Sequence, residues 1–93
     1  MTEPAVPDFN EIWRRVIECE GDEFIQVRGK RFSYVCQGNT LSLSSTNQLV
    51  ARSQFEQAFE RVPLMSPAII QDLRAPSYIF AIMMDDRIRQ HDW

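Results

Sequence analysis

Histidine, cysteine and positive charge are scarce in this 93-residue chain, and each scarcity removes a class of function. One histidine, His91, and two widely spaced cysteines, Cys19 and Cys36, are too few for a zinc site built from protein ligands alone. Two cysteines also fall short of a secreted disulfide scaffold, so the plain expectation is a reduced, cytoplasmic protein. No apolar run reaches the roughly 18 residues that cross a bilayer, and no basic-then-apolar leader opens the chain, so no membrane partner is expected. Ten Lys+Arg against thirteen Asp+Glu give a formal net charge of −3. General affinity for nucleic acid or an anionic membrane rests on the opposite balance, which leaves only a local basic patch as a route to it. No triad and no metal-ligand spacing is visible, so the chain reads as a non-enzyme that needs no cofactor.

What is present is enough for one small fold. A hydrophobic fraction of 44% argues for a folded chain, and 93 residues make a single domain, 1–93, whose first seven residues read as a flexible arm. A domain of this size buries roughly two thirds of its unfolded surface, so its core is thin.

Three strands are predicted between Glu23 and Ser45. Gly29-Lys30 and Gly38-Asn39 each read as the central pair of a two-residue hairpin turn, glycine supplying the positive φ. Those turns set Val27 opposite Phe32, Ile25 opposite Tyr34, Tyr34 opposite Leu43 and Cys36 opposite Leu41. All seven residues then share one apolar face. A fourth strand is expected at 48–51 after a turn at Thr46-Asn47.

Helices flank this meander. Asp8 and Glu11 form a capping-box pair before Phe9, Ile12, Trp13, Val16 and Ile17, which recur at helical spacing with Asn10, Glu11, Arg14, Arg15 and Glu18 opposite. Ser53 and Glu56 repeat that cap before Phe55, Ala58, Phe59 and Val62, and Pro63 ends the segment. Ser66-Pro67 starts a short helical piece with Ile69, Ile70 and Leu73 inward. Residues 78–84 are apolar throughout, which suits a buried helix or a buried strand; Pro76 in the first turn, the alanine and the methionines favour helix. Ile88 and Trp93 anchor the charged tail. The order specifies an α+β fold: an N-terminal helix, a three- to four-stranded antiparallel β-meander, then two or three helices packed on one sheet face.

The chemistry-bearing residues are weighed in the same way. Glu18, Glu20, Asp22 and Glu23, and again Asp85 and Asp86, offer carboxylates to a divalent cation, but they lack a calcium-loop spacing and read as solvated surface. Cys36 falls on the core face and Cys19 beside two glutamates, neither an environment that makes a reactive thiolate. Arg28, Lys30 and Arg31 cluster on the first turn, with Arg28 and Arg31 placed opposite each other on the non-core face. That face continues through Gln26, Ser33, Thr40, Ser42 and Ser44, and Phe24 is its one aromatic. Candidate binding residues are therefore Arg28, Lys30, Arg31, Ser33, Ser42 and Arg52. Trp13, Trp93, Met65, Met83, Met84 and Phe80 exceed what a thin core readily hides, which suits an interface.

Ser53-Gln54-Phe55-Glu56, then Pro76-Ser77-Tyr78-Ile79 and Asp86-Arg87-Ile88, resemble a pattern of small uncharacterised bacterial domains. The resemblance spans roughly the last two thirds of the chain. It implies a bacterial cytoplasmic protein and brings no site residues with it. The expected function is a small non-enzymatic interaction or regulatory module that binds a protein partner or a second copy of itself. The alternative is a nucleic-acid-binding module using Arg28, Lys30 and Arg31.

Overall fold

Helix α1 (Phe9–Glu18) starts at the cap read from the sequence: Asp8 Oδ1 accepts from the Glu11 N–H at 3.1 Å. It is the first element of a computed structural model that describes residues 7–46 and 48–93. Most of the N-terminal arm and Asn47 of the expected Thr46-Asn47 turn lie outside the described residues. Phe9, Ile12, Trp13 and Val16 of α1 are buried as their spacing requires. Two assignments on this helix need correction. Ile17, expected inward, is exposed, while Arg15, expected on the solvent side, is only 8% exposed. Arg15 can be buried because its guanidinium is satisfied from three directions. Nε bonds Glu11 Oε2 at 3.0 Å, and Nη1 bonds the Ile88 carbonyl at 2.8 Å and Asp92 Oδ2 at 2.8 Å.

Among the described residues five strands follow: β1 (Phe24–Ile25), β2 (Arg31–Phe32), β3 (Tyr34–Gln37), β4 (Thr40–Leu43) and β5 (Leu49–Ala51). The hairpin at Gly38-Asn39 has the predicted register, Tyr34 opposite Leu43 and Cys36 opposite Leu41, and β5 is the expected fourth strand, antiparallel to β4. The first hairpin does not. Phe24 pairs with Phe32 and Ile25 with Arg31. The Gly29 N–H donates to the Gln26 carbonyl at 2.7 Å and the Gln26 N–H to the Lys30 carbonyl at 2.9 Å. That pattern is a three-residue loop, Val27-Arg28-Gly29, in which Gly29 (φ +86°) takes the left-handed position after a turn. The register therefore differs by an odd number of residues from a two-residue loop, and every side chain of β1 changes face. Phe24 is 1% exposed and Gln26 is buried, whereas Ile25 and Val27 are 58% and 61% exposed.

The reason lies in the aromatic rings. With Phe24 inside, its ring stacks on Phe32 (centroids 5.9 Å) and meets Tyr34 at a tilt (5.5 Å), and Phe32 meets Tyr78 edge-on at 4.8 Å. Burying one phenylalanine contributes about 1.5–3 kcal/mol, and each such ring pair about 0.5–1.5 kcal/mol more. Ile25 and Val27 on the inside would forfeit those ring pairs.

The strands form two small sheets, β1-β2 and β3-β4-β5, broken at Ser33, whose N–H donates to Ser44 Oγ at 2.9 Å. Helix α2 (Arg52–Phe59) is capped by Ala51 without a side-chain bond, so the expected Ser53 cap is displaced by two residues. A 3₁₀ turn (Pro67–Ile70) follows its Ser66 cap as read, with Ile70 and Leu73 buried but Ile69 exposed. Residues 78–84 fall in helix α3 (Pro76–Met83) and its C-cap, not in a strand. Helix α4 (Asp86–Arg89) is capped by Asp85, and Ile88 is fully buried. The helices cover the Tyr34, Leu41, Leu43 and Val50 face of the larger sheet. Tyr34 is its centre: wholly buried, it donates its hydroxyl to the Val16 carbonyl at 2.6 Å.

Truncation of Phe24 to alanine is expected to cost about 3–5 kcal/mol. Ile25→Ala is expected to stay within about 0.5 kcal/mol of wild type. Urea midpoints of the two variants measure the difference directly.

Candidate functional site

An all-apolar helix normally buries its whole circumference. Helix α3 carries no charged side chain, and Tyr78, Ile79, Ile82 and Met83 are indeed buried. Its Phe80-Ala81 flank, continued by Met84 at the C-cap, is only partly covered and lines an open hollow of about 270 Å³ shared with Ile25, Val27 and Asp85. Val27 also walls a second hollow of about 390 Å³, with Gln26, Arg28, Pro67, Gln71, Pro76 and Ser77. The turn thus stands as an apolar ridge between two concavities, and the inverted face of β1 supplies Ile25 and Val27 to it.

The sequence-predicted basic residues divide between two ends of the sheet system. Arg28 and Lys30 sit on the Val27 turn, exposed and with no acidic group at ion-pair distance among the described residues. Arg31 is opposite Ile25, not Arg28, so the expected like-charge pair across the turn does not form; Arg31 meets Glu23 at 3.5 Å instead. Arg52 belongs to the other turn. Its N–H bonds the Asn39 carbonyl at 2.7 Å, its guanidinium reaches Asn10 Oδ1, and it lies over the Phe9 ring at 5.2 Å. Ser33 is spent in the sheet break. Ser42 lies between Val35 and Leu49 on the outer face of β3-β4-β5, half-buried beneath two exposed apolar neighbours. Gln26 and Phe24, expected on that polar face, are inside.

Several of the carboxylates are held by arginines. Arg14 bonds Glu11 and Glu18, and those bonds, Arg14 first and then Arg15, hold the Glu11 carboxyl below its usual range. Arg87 joins the two acidic groups that the sequence separates: it chelates Asp85 at 2.8 and 2.9 Å, approaches Asp22 at 3.9 Å, bonds the Glu23 carbonyl at 2.9 Å and stacks on Phe24 at 4.1 Å. No group of three or more His, Cys, Asp or Glu side chains converges among the described residues. Burial raises the Cys19 thiol above its usual value, and burial followed by Glu20 pushes Cys36 up to about 11, so both stay protonated at neutral pH.

Of the six large apolar residues thought surplus to the core, Trp13 and Met83 are buried, Phe80, Met84 and Trp93 are half-buried, and Met65 is 79% exposed. Sequence reasoning missed Ile25 and Val27 because alternation alone cannot choose between the Phe24/Gln26 and Ile25/Val27 faces. Gly29 suits a three-residue Val-Arg-Gly loop as well as a two-residue turn, so the choice rests on the ring partners of Phe24 in other elements.

The Arg87 bonds hold Asp85 below its ordinary value of 3.8. A depressed carboxylate stabilises the fold fully above its unfolded pKa, and that stability is lost as pH falls below it. Asp85→Asn is therefore expected to lower the thermal midpoint at pH 7 and to flatten its fall below about pH 4. A pH series of thermal melts on both proteins measures the two slopes.

No family model matches the chain, and no curated protein or solved structure is significantly similar to it.

Proposed function

We propose that the protein is a small, non-enzymatic interaction module of the cytoplasm that binds a protein partner through the Val27 ridge and the hollows beside it. The observation that carries this reading is the half-covered Phe80-Ala81-Met84 stripe of an uncharged helix, which lines an open hollow with the exposed Ile25 and Val27. A polar solvent-facing stripe would be the cheaper solution for a domain that had only to fold, because exposed large apolar groups gain nothing from water. Concave apolar surface with a few flanking charges is the usual form of a protein-docking site. Arg28 and Lys30 border it without acidic partners among the described residues, which favours a partner with carboxylates at the edge of its own apolar patch. Among those residues no helix is long and apolar enough to cross a membrane.

The nucleic-acid reading shares two of its residues with other partners: Arg31 meets Glu23 and Arg52 meets Asn10, which leaves Arg28 and Lys30 at the turn. Two cations neutralise too few phosphates for firm binding at physiological salt.

A photo-crosslinking residue at position 27 tests the docking surface in the cell of origin. A discrete adduct is expected that disappears on Met84→Glu and persists on Gln37→Glu, at a site on the opposite hairpin. Adducts equally abundant in both variants contradict the assignment, as does an absence of any adduct. Light scattering of the same protein separates a foreign partner from self-association.

A further inference from the structure

A second surface shares no residue with the Val27 cleft, and its hydrogen-bonding pattern specifies its occupant. In an antiparallel ladder, alternate residues direct both backbone groups to the same neighbour. The Leu43 N–H bonds the Gln48 carbonyl and the Arg52 N–H bonds the Asn39 carbonyl, so with the observed register Val50 is the β5 residue that bonds β4. Leu49 and Ala51 consequently turn their N–H groups, and Leu49 its carbonyl, toward the open edge. Ala51 commits its own carbonyl to the first turn of α2 as the N-cap.

That edge borders a groove of about 670 Å³ lined by Leu49, Ala51, Gln54, Asp72, Leu73 and Arg74. Gln54 Oε1 accepts from the Arg74 N–H at 2.8 Å, so its amide NH₂ remains to donate. Asp72 is already held at both oxygens by Arg61, at 2.5 and 2.9 Å. The Arg74 side chain has no ion-pair partner among the described residues. The groove thus presents two backbone N–H groups, an amide NH₂ and a guanidinium against one backbone carbonyl and the Asp72 carboxylate, whose charge Arg61 already balances. It is rich in donors and short of acceptors. The opposite edge of the sheet is closed: Glu20 Oε2 accepts from the Cys36 N–H at 3.1 Å and the Gly21 N–H donates to the Tyr34 carbonyl at 3.0 Å. An edge strand without lysine or proline, on a sheet whose other edge is blocked, is a template for strand addition.

We propose that the β5 edge binds an extended peptide segment bearing a carboxylate, which joins the β3-β4-β5 sheet as an added strand and places its carboxylate at Arg74 and Gln54. A second copy of this chain fits less well, because it repeats the donor surplus and brings a second Arg74 to the first. Single-stranded nucleic acid supplies acceptors but finds no aromatic ring lining the groove on which to stack.

The test uses the full chain, labelled with ¹⁵N, and a synthetic hexapeptide of alternating valine and glutamate with a free C-terminal carboxylate. Without peptide, the Leu49 and Ala51 amides are expected to exchange with solvent far faster than the Val50 amide; protection of both shows a closed edge and overturns the proposal. On titration to millimolar peptide, the Leu49 and Ala51 amide resonances are expected to shift and their exchange to slow. Arg74→Ala is expected to weaken binding about tenfold, and N-methylation of alternate peptide amides to abolish it. Four results contradict the proposal: no shift at those amides, equal binding of the N-methylated peptide, a dimer formed through Leu49, or a dT12 oligonucleotide bound at the same resonances as tightly as the peptide.

Discussion

The rest of the structure depends on the length of one turn. With three residues in the loop instead of two, Phe24 goes in and Ile25 and Val27 go out. The inward set completes an aromatic row from Phe24 through Phe32 to Tyr78, which joins the first hairpin to α3. The outward set creates the apolar ridge that faces the remaining stripe of α3. The positive φ of Gly29 permits this loop, the ring contacts of Phe24 select it, and the one choice sets both the core and the exposed surface.

Polar side chains serve as the joints of this thin core. Tyr34 ties the sheet to α1 through the Val16 carbonyl, Arg15 ties α1 to α4 and the C-terminal tail, and Arg87 ties α4 to β1 while stacking on Phe24. Each replaces water with carbonyl, carboxylate or ring partners, which lets a polar group occupy a protected position without an orphaned bond. No buried side-chain nitrogen or oxygen among the described residues lacks a partner. In a domain this small, such cross-links do work that a larger apolar core would otherwise do.

Much of this was legible in the residues. The Asp8 cap, the Gly38-Asn39 hairpin with its register, a strand at 48–51 (found at 49–51) and the helical choice for 78–84 all followed from local chemistry. What was not legible was non-local. The β1 face was decided by rings contributed from β2, β3 and α3, which no window on β1 contains. Arg15 read as a solvent residue because its partners, Ile88 and Asp92, lie more than seventy positions away. Of the basic residues singled out from the sequence, Arg28 lines a hollow beside Val27 and Lys30 shares its turn, whereas Arg52 lies at another turn; Ile25 and Val27, expected inside, are exposed.

The register of the first hairpin is the claim on which the core and the cleft both stand. In an antiparallel pair, residues at a non-hydrogen-bonded position bring their Cα atoms to about 4.5 Å, close enough for a strong proton–proton Overhauser effect. The three-residue loop makes Ile25 and Arg31 such a pair. A strong Hα–Hα cross-peak between Ile25 and Arg31 in a nuclear Overhauser spectrum is the expected result. A cross-peak between Val27 and Phe32 in its place would mean a two-residue loop, with Val27 inside and the cleft gone.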